Sequence, residues 1–132
     1  MRKPKFRGFS KETSSWHYGH GWFEIDYTEE YLLEKGIEKQ AMLYTEGYPI
    51  ECELKSMGEY TGLKDKHGTE IFEGDILAIN NTRYVVGYRE YSGGWQLEIK
   101  NEYCAEMVQG NCELLEIIGN IYENPELLEA TA

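Results

Sequence analysis

Hydrophobic and polar positions alternate in short runs along most of the chain, and residues that favour turns separate one run from the next. From Glu59 onward this punctuation is regular. Tyr60-Thr-Gly-Leu63 and Glu70-Ile-Phe72 flank Lys64-Asp-Lys-His-Gly68, a loop with glycine where a positive φ angle is needed. Asp75-Ile-Leu-Ala-Ile79 and Thr82-Arg-Tyr-Val-Val86 flank Asn80-Asn81, a pair that tolerates the left-handed conformation of a two-residue hairpin. Gly93-Gly94 joins residues 84–91 to Trp95-Gln-Leu-Glu-Ile99, and Gln109-Gly-Asn111 separates 103–108 from Glu113-Leu-Leu-Glu-Ile-Ile118. Short strands broken by a turn about every 8–12 residues predict a mainly β protein. Over 59–122 they predict a five-stranded, SH3-like barrel, because that length is too small for two full sheets.

The first half is less regular. Residues 3–9 alternate around Phe6 and Phe9 as a strand does, and Lys11-Glu-Thr-Ser-Ser15 is turn-like. Trp16 to Tyr27 reads as one bent strand, with Gly19 and Gly21 permitting a bulge or a close backbone approach. A helix is predicted over 28–35. Asp26 or Thr28 caps its start, Glu29 and Glu30 suit the first turn, and Gly36 ends it. Two strands follow, Ala41-Met-Leu-Tyr44 and Ile50-Glu-Cys-Glu-Leu54, separated by Gly47 and Pro49. At the other end, Asn124-Pro125-Glu126 opens a helical turn expected to pin Leu127 and Leu128 onto the barrel. The expected organisation is therefore N-terminal strands and a short helix, 1–58, packed on a barrel with its terminal turn, 59–132.

Composition narrows the function more than the fold. At 132 residues the chain is one domain in size and buries roughly two-thirds of its unfolded surface, so it needs no metal or disulfide to fold. No apolar run is long enough to span a membrane, and the basic start Met1 to Arg7 lacks the apolar stretch of a signal peptide, so a cytoplasmic protein is expected. Cys52, Cys104 and Cys112 are odd in number and form no C-x-x-C pair, which suggests buried free thiols rather than a disulfide frame or a zinc ribbon.

The net charge is -11, which argues against direct binding of nucleic acid or anionic lipid. Its distribution is uneven. Arg2, Lys3, Lys5, Arg7 and Lys11 precede the first acidic residue, whereas Asn101 to Ala132 contains acidic residues and no lysine or arginine. Such a head and tail fit either one another within a chain or a head-to-tail contact between chains.

Three segments carry a family resemblance. Lys5-Phe-Arg-Gly8 leading to Trp16-His-Tyr-Gly19 resembles the opening of the YopX family of phage and prophage proteins. The run Gly58-Glu-Tyr-Thr-Gly-Leu-Lys-Asp-Lys-His-Gly-Thr-Glu-Ile-Phe-Glu-Gly-Asp-Ile-Leu77 resembles its central signature, and Ile118-Gly-Asn-Ile-Tyr-Glu-Asn-Pro-Glu-Leu-Leu128 its ending. The resemblance implies a β-rich protein made by a phage or prophage inside a bacterial cell. It implies no activity, cofactor or catalytic residue. Read for structure, Gly62 and Gly68 fit turns, Leu63, Ile71, Phe72 and Ile76 fit a core, and Asp75 fits a carboxylate that accepts backbone hydrogen bonds in a turn.

Candidate chemistry is thin. His17 and His20, with Glu24 or Asp26, are the best metal ligands, yet a third ligand at a defined spacing is missing, so no metal or other cofactor is expected. No serine or cysteine lies in a nucleophile motif, and no glycine pair sits in a strand–loop–helix phosphate context, so no enzyme activity is expected. Trp16, Tyr18, Trp22 and Phe23 cannot all face one side of a strand, which leaves an aromatic face for a partner. A self-associating protein-interaction module, a homo-oligomer that contacts a host or phage protein, is the first expectation. An acidic decoy that mimics nucleic acid is the alternative, and a small metal-dependent hydrolase using His17 or His20 is the weakest reading.

Overall fold

Strands account for 51% of the chain and helices for 14% in a computed structural model, so the protein is mainly β. The structure describes residues 4–89, 94–100 and 102–129. Arg2 and Lys3 of the basic head, Gly93 of the expected glycine turn and Asn101 lie outside the described residues. The chain divides into two compact units, residues 1–59 and 60–132.

In the first unit, β1 (Phe6–Ser10) and β2 (Ser15–Gly19) form an antiparallel hairpin in which Phe9 lies opposite Trp16 and Arg7 opposite Tyr18. Gly58 and Glu59, the first residues of β6 (Gly58–Lys64), pair with Arg7 and Phe6. A second sheet has the order β3-β4-β5, from Gly21–Glu24, Gln40–Tyr44 and Ile50–Glu53. Ala41 and Leu43 alternate inward and meet Cys52, all three fully buried. The side chain of a substituted Gly8 would crowd Met57 and Cys52, so β1 reaches this core only because that position has none.

The predicted bent strand 16–27 is instead two strands in two sheets. The break is at Gly19, where any Cβ would run into the Tyr44 carbonyl oxygen, while the next N–H, that of His20, donates to the same oxygen at 3.0 Å. Helix α1 (Glu29–Lys35) follows the predicted signals. The Thr28 hydroxyl accepts the Tyr31 N–H at 3.1 Å, and Gly36 closes the helix at φ 67°. It contributes no buried residue to the unit, and Leu33 remains 83% exposed.

The second unit contains the rest of β6, paired with β7 (Glu70–Phe72), and a five-stranded antiparallel sheet of order β11-β10-β9-β8-β12. Its strands are β8 (Asp75–Ile79), β9 (Thr82–Arg89), β10 (Gly94–Ile99), β11 (Glu102–Glu106) and β12 (Glu116–Asn120). This sheet curves into a half-barrel. Among the described residues no pairing joins β12 back to β11, and a closed SH3-like barrel is a finer description than these pairings carry. The Asn80-Asn81 turn forms as its composition predicts, with Ile79 opposite Thr82 and Asn80 at φ 54°. Gln109-Gly-Asn111 differs: it opens a short helical turn, α2 (Gln109–Cys112), which carries Cys112 and then Leu115 into the core and delays β12 until Glu116. Residues Glu126–Glu129 form the terminal turn, α3.

Ile71, Leu77, Val86, Leu97, Met107, Cys112 and Leu115 make the core of this unit. Two buried carboxylates fix the loops around it. Asp75 Oδ2 accepts the Phe72 N–H at 2.7 Å, as the signature suggested. Asp65 accepts three backbone N–H groups, from His67 at 2.9 Å, Thr69 at 3.0 Å and Ile117 at 3.1 Å. Burial alone would raise its carboxyl, but the donors of Ile117, Thr69 and His67, with the nearby His67 imidazole, outweigh burial and hold it below the ordinary aspartate value.

Candidate protein-contact surface

The four aromatic residues singled out in the sequence fall into two pairs on different sheets. Trp16 and Tyr18 are two apart on β2, so they share a face with Phe9 and Arg7, their register partners on β1. Trp16 has company within its own chain. The Phe9 ring meets it edge-on at 5.5 Å, and the Arg7 guanidinium stands 4.7 Å above its ring. Tyr18, by contrast, is 53% exposed.

Trp22 and Phe23 are neighbours on β3 and point to opposite faces. Trp22 lies opposite Leu43, on the core-facing side, and retains 38% exposure. Phe23 lies opposite Met42 on the other side and is 48% exposed. That second side holds residues the sequence alone did not single out. Tyr44, 42% exposed, has its ring 5.8 Å from that of Phe23. Beyond Met42 comes Glu51, which accepts the Tyr27 hydroxyl at 3.0 Å, and the Tyr27 ring stacks on Tyr31 at 4.6 Å. Burial first, then the bond to Glu51 and its charge, push the Tyr27 phenol up. Tyr44, Phe23 and Met42 thus share one side of the sheet with Glu51, to which the stacked Tyr27–Tyr31 pair is tied by its hydrogen bond. Helix α1 reaches Tyr27 through Tyr31, while Phe23 and Tyr44 remain exposed.

β3 is also an edge. It pairs with β4 on one side, and among the described residues no strand pairs with the other. At its start, His20, Lys5, Tyr18 and Glu46 line an open cleft of about 420 Å³.

The remaining candidates lie elsewhere. His17 Nε2 is 2.7 Å from Thr13 Oγ1 and 3.3 Å from Ser15 Oγ, in an exposed cluster of hydroxyls. Among the described residues, no three His, Cys, Asp or Glu side chains gather so as to hold a metal ion. Cys52 and Cys112 are buried as expected. Cys104 is exposed, because β11 is the outer strand of its sheet. Of the basic head, Lys11 pairs within its own unit, 3.5 Å from buried Glu53, whose other oxygen accepts the Gln40 amide at 2.6 Å.

The family model described as YopX protein matches residues 5–129. The chain belongs to the YopX family. Its solved structural neighbours include protein EF1440 from Enterococcus faecalis, 23% identical, at a TM-score of 0.52 over 95% of this chain and 97% of that one. At that identity the likeness is one of fold. Comparison with curated proteins found no match. For a YopX-family chain, then, the function must be argued from the surface itself.

Proposed function

We propose that this YopX-family protein is a protein-interaction module that associates with itself and, within a bacterial cell carrying a phage or prophage, with a host or phage protein. The observation that carries the reading is the aromatic surface on β3 and β4, where Phe23 and Tyr44 stand side by side at roughly half exposure. Single exposed apolar residues are ordinary, but contiguous aromatic surface is rarely left to water in a monomer, and aromatic side chains are favoured anchors of interfaces. Trp22, on the opposite side of β3, and Tyr18, on β2, are further exposed aromatic residues outside this surface.

The test is hydrodynamic. Sedimentation of the protein and of Trp22→Ala and Phe23→Ala, against Lys39→Ala as a surface control, is expected to show association that the first two weaken and the third leaves alone. A monomer at every concentration that also retains no bacterial protein on an affinity matrix would count against the module.

A second reading, the acidic decoy, is favoured by one observation. Residues 60–132 hold 13 acidic residues against five basic ones, with Glu102, Glu106, Glu113, Glu123 and Glu126 all exposed. Host proteins retained on the matrix and released by added DNA would support the decoy; retention indifferent to DNA and nuclease supports the module.

A further inference from the structure

The free edge of β3 has a built-in direction. The Ile25 N–H donates to the Gln40 carbonyl at 2.9 Å, so Ile25 forms a hydrogen-bonded pair across the β3–β4 ladder. Such pairs alternate with non-bonded ones, which turns the N–H and C=O groups of Trp22 and Glu24 toward the free edge. Backbone groups in that position are a template for another strand. Charge brackets the same edge unequally. Lys5 and His20 stand at its start, in the cleft shared with Glu46, whereas Glu24 ends the strand and Asp26 follows. A strand with basic groups at its head and acidic groups at its tail is its own complement when run antiparallel.

We propose that β3 pairs with β3 of a second copy, antiparallel about a two-fold axis at Trp22, joining the two three-stranded sheets into one. This rests on the self-association proposed above and names its contact. In this register Trp22 faces Trp22 of the second copy, and His20 faces its Glu24. Phe23 faces Gly21, and there the fit is specific. Apart from its own chain neighbours, no described heavy atom lies within 4 Å of the point where a Gly21 side chain would begin, so the position offers room for an incoming ring. Gly21 lies opposite Tyr44, so a Phe23 ring placed on it would also meet the exposed Tyr44 of the other copy.

Other registers lose one of these features. A slip of one residue sets outward-facing backbone groups against inward-facing ones and turns each side chain to the wrong face. A register centred on Phe23 places Glu24 against Trp22. A strand of four residues buries less than a standard interface, so the association is weak, with a dissociation constant on the order of tens of micromolar.

The test uses the full chain and two exposed positions whose substitution does not disturb a core. His20→Glu or Glu24→Lys alone is expected to weaken association roughly tenfold in sedimentation, and the double variant to restore it to within about threefold. In a Cys104→Ser background, Trp22→Cys is expected to form a disulfide-linked dimer under mild oxidation, since directly opposed residues of a hydrogen-bonded antiparallel pair lie about 5.5 Å apart at Cα. Phe23→Cys should cross-link far more slowly. Single charge variants that associate as the wild type does, a double variant that stays weak, or Phe23→Cys cross-linking as fast as Trp22→Cys would each overturn the pairing. A dimer indifferent to all these changes removes the β3 contact and leaves self-association standing. A wild-type protein that never leaves the monomer removes both.

Discussion

Phe23 and Tyr44 sit on adjacent antiparallel strands with their ring centroids 5.8 Å apart, and both keep more than a third of their surface in contact with water. One step along β4, Leu43 has none. The sheet therefore separates two kinds of apolar residue by the alternation of a strand, one buried and one left partly in water. Replacing Phe23 or Tyr44 by serine is expected to lower the stability of the monomer by only about 1 kcal/mol, because roughly half of each residue remains in water when folded. Leu43→Ala should cost about 2–5 kcal/mol. Urea unfolding of the three variants under conditions that hold the protein monomeric checks the contrast. A large loss from Phe23→Ser would make that ring part of the core.

Asp65 ties the β6–β7 loop to the start of β12 through the Ile117 N–H, 52 residues away. Its carboxyl lies below the ordinary aspartate range when folded, so its ionised form is favoured by folding. The stabilisation is fully present above the unfolded value of about 3.9 and is lost as pH falls through the lower folded value. Asp65→Asn is expected to cost about 2 kcal/mol at neutral pH, since an amide cannot accept from all three donors as a carboxylate does. The difference from wild type should shrink in acid. Urea unfolding at neutral pH and near pH ~3 measures both; a cost that is the same at the two would mean the charge is irrelevant.

The three cysteines should react in two classes. Burial pushes the Cys52 thiol up to about 11, with the charges of Glu51 and Glu53 adding to it, and burial alone does the same for Cys112. At pH ~8 both thiols are almost wholly protonated and shielded, and a thiol must ionise to attack a disulfide reagent. Cys104 is exposed. One thiol per chain is expected to react quickly in the native protein and the other two only on unfolding. Three rapid equivalents without denaturant would show that the cores of the two units open readily.

Local chemistry made some of this fold legible and left other parts hidden. Asn80-Asn81 formed its turn, Thr28 and Gly36 bounded α1, and Asp75 accepted its backbone partner, because each depends on residues within a few positions. The break between β2 and β3 does not. Gly19 is required there by the Tyr44 carbonyl, and nothing near Gly19 in the sequence announces a strand 25 residues further on. The aromatic surface was half legible for the same reason. Alternation along β3 shows that Trp22 and Phe23 face opposite ways. Only the register with β4 shows that Phe23 joins Tyr44, and only the pairing with β1 shows that Trp16 is taken up by Phe9 and Arg7.

The central claim is that this surface exists to be covered. Sedimentation equilibrium of the wild-type chain, over concentrations from about 5 to 300 µM that bracket the weak association expected of a short edge strand, tests it most directly. The average mass is predicted to climb with concentration from the monomer's 15.4 kDa toward twice that value. A mass fixed at 15.4 kDa across the whole range would contradict it.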